Sequence, residues 1–172
     1  MNGRERPDPS EVPGFYHGYV ALATEQDLLA ALRSASDRTA SIMGRVPDGR
    51  GDHRYAPGKW SIKDVLQHVI DAERIFGYRA LRFARNDATE LPGFEENDYA
   101  PNALADRREL ADLVAEFGTV RAATTTLFRS FSPEMSLRAG TANKARISVR
   151  ALGWVIAGHT MHHMNVIEQR YF

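Results

Sequence analysis

Apolar side chains recur along this chain at intervals of three and four residues in four stretches, and that period predicts helices. The first stripe runs Leu28, Leu32, Ala35, Ile42 and Val46. Its expected cap is the Thr24 hydroxyl, with Asp27 at the reciprocal position of a capping box, and Pro47, Gly49 and Gly51 break it. The second helix is expected after Ser61, with Asp64 completing another box, through Ile62, Val65, Val69, Ala72 and Phe76, fading near Asn86. The third opens around Asp106 and Glu109 and continues through Leu110, Leu113, Phe117, Val120, Leu127 and Phe131 until Pro133 ends it. The fourth starts near Ser148 and carries Val149, Leu152, Ile156, His159, His163 and Val166. These follow a 3,4,3,4,3 spacing that sets two histidines on the buried seam itself.

Four amphipathic helices of about 20–25 residues predict an all-α four-helix bundle. Its connectors, roughly 15–20 residues each, exceed the about 2–8 usual between antiparallel neighbours and so predict long crossover loops. The longest contains LPGFEENDYAPNA, between the second and third helices, and a crossover there makes those two helices parallel. Residues 1–14 are polar, contain proline and glycine, and read as an extended N-terminal arm. A length of 172 residues predicts one domain, 1–172.

Composition narrows the chemistry. With no cysteine, thiolate zinc sites, iron–sulfur clusters, disulfides and cysteine nucleophiles are all excluded. The 22 basic and 22 acidic side chains balance without a long run of either sign, which argues against electrostatically driven nucleic-acid or membrane binding. No window approaches the roughly 20 apolar residues of a membrane span. The opening MNGRERPDPSEVPG lacks the apolar region of an export signal, so a cytoplasmic location is expected.

Metal chemistry enters at GHTMHHMNVIEQRY. His159 and His163, four residues apart on a helix, stack one above the other with Cβ atoms about 5–6 Å apart, close enough to converge on one ion. His159 with His162, three apart, is also permitted. His68 borders the apolar stripe of the second helix and can face the same interior. Three neutral imidazoles with room for water make an open, Lewis-acidic site. The same spacing also fits core histidines hydrogen-bonded to each other or to a carboxylate. It is not the zincin H-E-x-x-H pattern, because Thr160 stands where that motif has its glutamate.

The segment YAPGKWSIKDVLQHVIDAERIFGYRALRFARND resembles the second-helix signature of the DinB/YfiT-like superfamily, a W-S/T-x-x-[DE]-x-x-x-H pattern. GHTMHHMNVIEQRYF resembles its closing H-x-x-H-H motif, and EVPGFYHGYVALATEQDLLAAL and PGFEENDYAPNA resemble the lead-in and loop of one subgroup. The resemblance implies a four-helix bundle with a crossover between helices two and three. It also implies a divalent ion on His68, His159 and His163, the second histidine of the adjacent pair being the usual ligand. Zinc, nickel, iron and manganese are the ions associated with such sites, and three imidazoles disfavour magnesium and calcium.

The implied activity is that of a metal-dependent enzyme acting on a small molecule, either a hydrolase or a transferase using a low-molecular-weight thiol such as bacillithiol or mycothiol. Without a cysteine here, any sulfur nucleophile has to diffuse in. The alternative is a non-catalytic, stress-associated bundle that binds metal or a small ligand. No general base stands beside the ligands in the sequence. Asp71 is placed to orient His68; Asn165 and Glu168 are candidates for shaping the pocket or capping the bundle end. Glu73 and Arg74 fit either a surface or an interior role. Trp60, Ser61 and Trp154 read as packing and capping residues, and His17 and His53 as solvated. A homodimer is expected from the resemblance and from Phe15, Tyr16 and Tyr19, aromatics that need covering; docking on their own bundle is the alternative.

Overall fold

Four long helices carry the architecture of the computed structural model, which describes residues 3–172. In chain order the helices and strands are α1 (His17–Leu22), α2 (Leu28–Met43), α3 (Ile62–Ala84), α4 (Glu96–Ala103), α5 (Leu110–Arg129), α6 (Pro133–Leu137), β1 (Ala139–Ala142), β2 (Ala145–Ser148) and α7 (Val149–Arg170). The bundle itself is α2, α3, α5 and α7, the four helices the apolar period predicts.

Two helix starts follow the sequence closely. Ser61 accepts from the Asp64 amide at 3.1 Å while the Asp64 carboxylate accepts from the Ser61 amide at 2.9 Å, closing the reciprocal box that starts α3. Ser148 caps α7 by accepting from the Ala151 amide at 3.1 Å. The other two differ. Asp27, not Thr24, caps α2, accepting from the Leu29 amide, because a hydroxyl three residues upstream cannot reach the free amides of the first turn. Glu109 precedes α5 without a side-chain cap, while Asp106 lies in a short 3-10 turn, Ala105–Arg107. Val46 and Phe131 fall just beyond the ends of α2 and α5.

Cross-helix pairs set the directions. The Tyr171 hydroxyl beyond the end of α7 donates to the Trp60 carbonyl before the start of α3, so these two run antiparallel. Gln67 meets Arg108 and Glu73 meets Arg121, so α3 and α5 run parallel, as the long crossover requires. Leu28 faces Gly153 and Arg38 pairs with Glu168, so α2 runs parallel to α7. The α3–α5 crossover is ordered by α4 and by Leu91, which bridges to Ala142 of the hairpin. That hairpin turns on Asn143 and Lys144, both at positive φ (51° and 61°), the backbone a two-residue turn demands.

The interior divides into two apolar clusters, one around Trp154, Phe83 and Leu28, the other around Leu66, Ile70, Leu113 and Ile167. They meet near Ile70 and Ala72 on α3 and between Ala157 and Met164 on α7. Glu73, His159 and Thr160, three of the buried polar side chains, lie at that level.

The N-terminal stretch is a docked strap rather than an extended arm; of the residues expected in it, Met1 and Asn2 lie outside those described. Val12 is buried, Trp154 Nε1 donates to the Glu5 carbonyl at 3.1 Å, and the Leu28 amide donates to the Arg4 carbonyl at 3.0 Å. The Arg6 guanidinium lies over the Trp154 ring and donates to the carbonyls of Val20 and Ala23 at the end of α1, while Arg150 pairs with Glu11. A stretch that buries a valine and saturates this many partners cannot stay extended in water. Helix α1 then packs its backbone directly on α7. A Cβ on Gly158 would sit 1.9 Å from the Tyr19 carbonyl oxygen, so only glycine admits the approach.

Candidate metal centre

His68 stands in the second turn of α3, and His159 and His163 stand at the middle of α7 and one turn beyond it; the antiparallel pairing of those helices brings the three rings together. His159 Nε2 lies 3.0 Å from His68 Nε2 and 3.1 Å from His163 Nε2, and the three nitrogens all fall within 4.8 Å of one another. His159 is buried and the other two are half-buried.

These contacts are poorly explained as hydrogen bonds. A ring nitrogen offers one hydrogen or one lone pair, in the ring plane, so His159 Nε2 can pair well with one neighbour but not with two. Neighbouring ligands on one ion, with metal–nitrogen bonds of about 2.0–2.1 Å, are separated by roughly 2.8–3.4 Å at right-angle to tetrahedral geometry. Both observed separations have that length. Burial holds all three rings in the neutral form that metal binding needs: His68 is pushed down to about 4, His163 to about 3, and His159 well below the usual value. The donor set thus fits a borderline divalent cation such as zinc, nickel or iron.

Aromatic rings pack around the histidines. Trp60 lies 5.0 Å from His68, and Tyr19 lies 5.2 Å from His159 and 5.3 Å from His162, centroid to centroid. A cleft of about 300 Å³ reaches His68 and His159 between Tyr16, Tyr19, Phe76 and Phe94, with Arg79, Glu96 and Asn143 among its polar lining. A second, of about 270 Å³, reaches His162 and His163 past Trp60, Lys59 and Tyr171.

Other candidates lie elsewhere or act otherwise. The Asp71 carboxylate accepts from Gln67 at 2.9 Å, not from His68. Glu168 is held by Arg38 and Arg45, with Asn165 beside Arg38, so both tie α7 to α2 and its end rather than line a cleft. Arg74 pairs with Glu116 on α5. Glu73 is fully interior, paired with Arg121 at 2.8 Å through both oxygens. Trp154 is core, and Ser61 is a cap as expected. His17 is exposed, with its Nε2 2.9 Å from the Val12 carbonyl, and His53 is half-buried against Tyr171. Tyr16 and Tyr19 dock on their own bundle, while Phe15 remains 60% exposed.

Four cleft residues went unanticipated: Arg79, Phe94, Glu96 and Asn143. Only Arg79 left a trace in the sequence. It sits eleven residues, three helical turns, after His68, on the face that carries Ala72 and Phe76, a charge inside an apolar stripe.

The fold and the ring cluster define a histidine-centred bundle, and the sequence agrees: the chain belongs to the DinB superfamily, whose family model matches residues 31–167. Among solved structures it is similar to YfiT from Bacillus subtilis, described as a probable metal-dependent hydrolase with an unusual four-helix bundle topology. The TM-score is 0.70 at 17% sequence identity over 84% of this chain and 85% of that one. No curated protein matches the chain. Among the described residues, no helix is long and apolar enough to cross a membrane.

Proposed function

We propose that this chain is a metal-dependent enzyme acting on a small molecule, with His68, His159 and His163 as the ligands of one divalent cation. The observation that carries the reading is the convergence of three Nε2 atoms where two clefts meet the rings, one at His68 and His159 and the other at His163. When bound, the cation supplies Lewis acidity that acidifies water or a thiol and polarises a carbonyl. The chain's own residues do the rest. Burial keeps the imidazole lone pairs free of protons, and it raises Tyr16 and Tyr19 so that both remain phenols able to donate into the cleft. Glu96, on the rim of the same cleft, is the carboxylate available to take up a proton.

Hydrolysis is the reaction class proposed, in line with the description of YfiT. Transfer to a low-molecular-weight thiol is the second reading, favoured by two clefts that reach the rings from different residues, His68 and His159 in one and His163 in the other. Metal analysis of purified wild type beside His163→Ala tests the centre. One equivalent in the wild type, lost in the variant, is expected; a metal-free wild type after reconstitution with zinc, nickel, iron or manganese defeats it. Turnover of ester and amide panels without thiol, against conjugation of an electrophile with added thiol, then separates the two reactions. A cytoplasmic homodimer goes with this reading, supported by the exposed Phe15; a one-chain mass in light scattering would refute the dimer.

A further inference from the structure

Arg79 is 4% exposed, yet no carboxylate pairs with it among the described residues. Its guanidinium donates to the Pro92 carbonyl at 2.8 Å, shares the cleft lining with Tyr16 and lies 5.7 Å from the Phe76 ring. The contrast with Arg121, the other buried arginine of the interior, is direct: that one holds a bidentate carboxylate. Leaving a cation out of water without a counter-ion is costly, and Arg79 faces the cleft that also reaches His68 and His159.

We propose that Arg79 is the anchor for the carboxylate of a substrate whose flat, apolar body lies between Tyr16, Tyr19 and Phe94, its reacting group directed to the histidines. This rests on the reading of that cleft as the substrate site and deepens it by naming the chemical class. The guanidinium fork matches a carboxylate in shape as well as charge. Aromatic walls select a planar body, since they gain most from a flat apolar surface. Tyr16 meets Phe76 edge-on at 5.8 Å, which fixes the wall beside the guanidinium. A volume of about 300 Å³ admits a molecule of one ring and a short chain. Glu96, exposed at the rim, repels a second negative charge there, so the ligand is a monoanion that enters carboxylate first.

Two of the walls, Tyr16 and Tyr19, precede residue 31, where the family model's match begins. The class of substrate is therefore set partly by a segment outside the matched region, and the histidines by the region inside it.

Calorimetric titration with benzoate and with its neutral isostere benzamide, on metal-free and zinc-loaded protein, tests the assignment. Benzoate is expected to bind metal-free wild type at least tenfold more tightly than benzamide. Arg79→Gln should remove that preference, and Arg79→Lys should retain part of it, with zinc content unchanged in both. Equal binding of the two probes overturns the proposal, as does no benzoate binding at 10 mM (roughly the weak end for a single charged anchor). Benzoate binding that needs zinc and ignores Arg79→Gln overturns it too, by placing the carboxylate on the cation. The wild-type comparison of the two probes needs no substitution, so it decides the matter even where Arg79→Gln fails to fold. Zinc refused by a protein that still prefers benzoate would sink the metal reading and leave this one standing.

Discussion

His159 and Thr160 are adjacent on α7, yet they belong to two interior polar groups built on opposite principles. Thr160 accepts from Arg121 at 2.8 Å, and Arg121 spends its remaining donors on both Glu73 oxygens, the Leu32 carbonyl and Ser36. All five guanidinium donors are taken, by partners on α2, α3 and α7, so one side chain on α5 joins the four bundle helices. One residue away, three rings turn their Nε2 atoms toward one another, His159 at 3.0 Å from His68 and 3.1 Å from His163. A closed network of this kind fixes a structure. Three imidazole nitrogens at metal-ligand spacing are instead a donor set that a cation suits.

The comparison breaks most sharply at Arg121. Arg121→Met strands a buried Glu73 and should cost about 3–5 kcal/mol, read by denaturant unfolding; a loss under 1 kcal/mol would mean the network is not the clasp described. Next in size is the ligand effect on the other group. Zinc at about 100 times its Kd should stabilise the wild type by about 2.7 kcal/mol and leave His163→Ala unmoved, and thermal shifts of both proteins would show it.

Third comes acidification of the metal-free protein. The three rings stay neutral in the fold well below the pH at which they protonate in the unfolded chain. Well above pH 6.5 they contribute no slope; as pH falls through 6.5 the unfolded state binds the extra protons, so stability falls as pH falls toward 4. Between pH 7 and 6 the loss should be on the order of 2 kcal/mol, and zinc should suppress it. Stability that rises across that interval would contradict the neutral, buried rings. The smallest effect belongs to Thr160→Val, which leaves one Arg121 donor unpaired at about 1–2 kcal/mol while zinc stoichiometry stays at the wild-type value. Lost zinc in that variant would show the two groups to be one.

The two groups also differ in how visible they are in the sequence. His68, His159 and His163 lie on apolar stripes with helical spacing, where a polar residue stands out, and a resemblance in motif added the rest. Glu73 and Arg121 give no such signal, because a charged residue on a helix is ordinarily solvated and only the packing of α3 against α5 turns this pair inward. The four bundle helices were legible because their burial follows one period; α1, α4 and the hairpin were not. Helix α1 is short and held by contacts to α7, α4 contains Pro101, and the hairpin strands are four residues each with weak alternation. Such pieces owe their shape to the surface they dock on, which local propensity does not contain. Thr24 failed as a cap for a related reason: the strap from Arg4 to Ala23 determines where α2 can begin, and it starts at Asp27.

The strap that closes on Gly158 has an engineering consequence. Residues 3–23 reach the bundle through carbonyls and the Arg6 guanidinium and bury Val12, Val20 and Ala23 in its core. Another sequence of the same length, keeping Arg6, the apolar residues at 12, 20 and 23 and the bare backbone over Gly158, could be grafted there. Such a graft would change the walls Tyr16 and Tyr19 give the cleft and leave the three histidines on α3 and α7 in place.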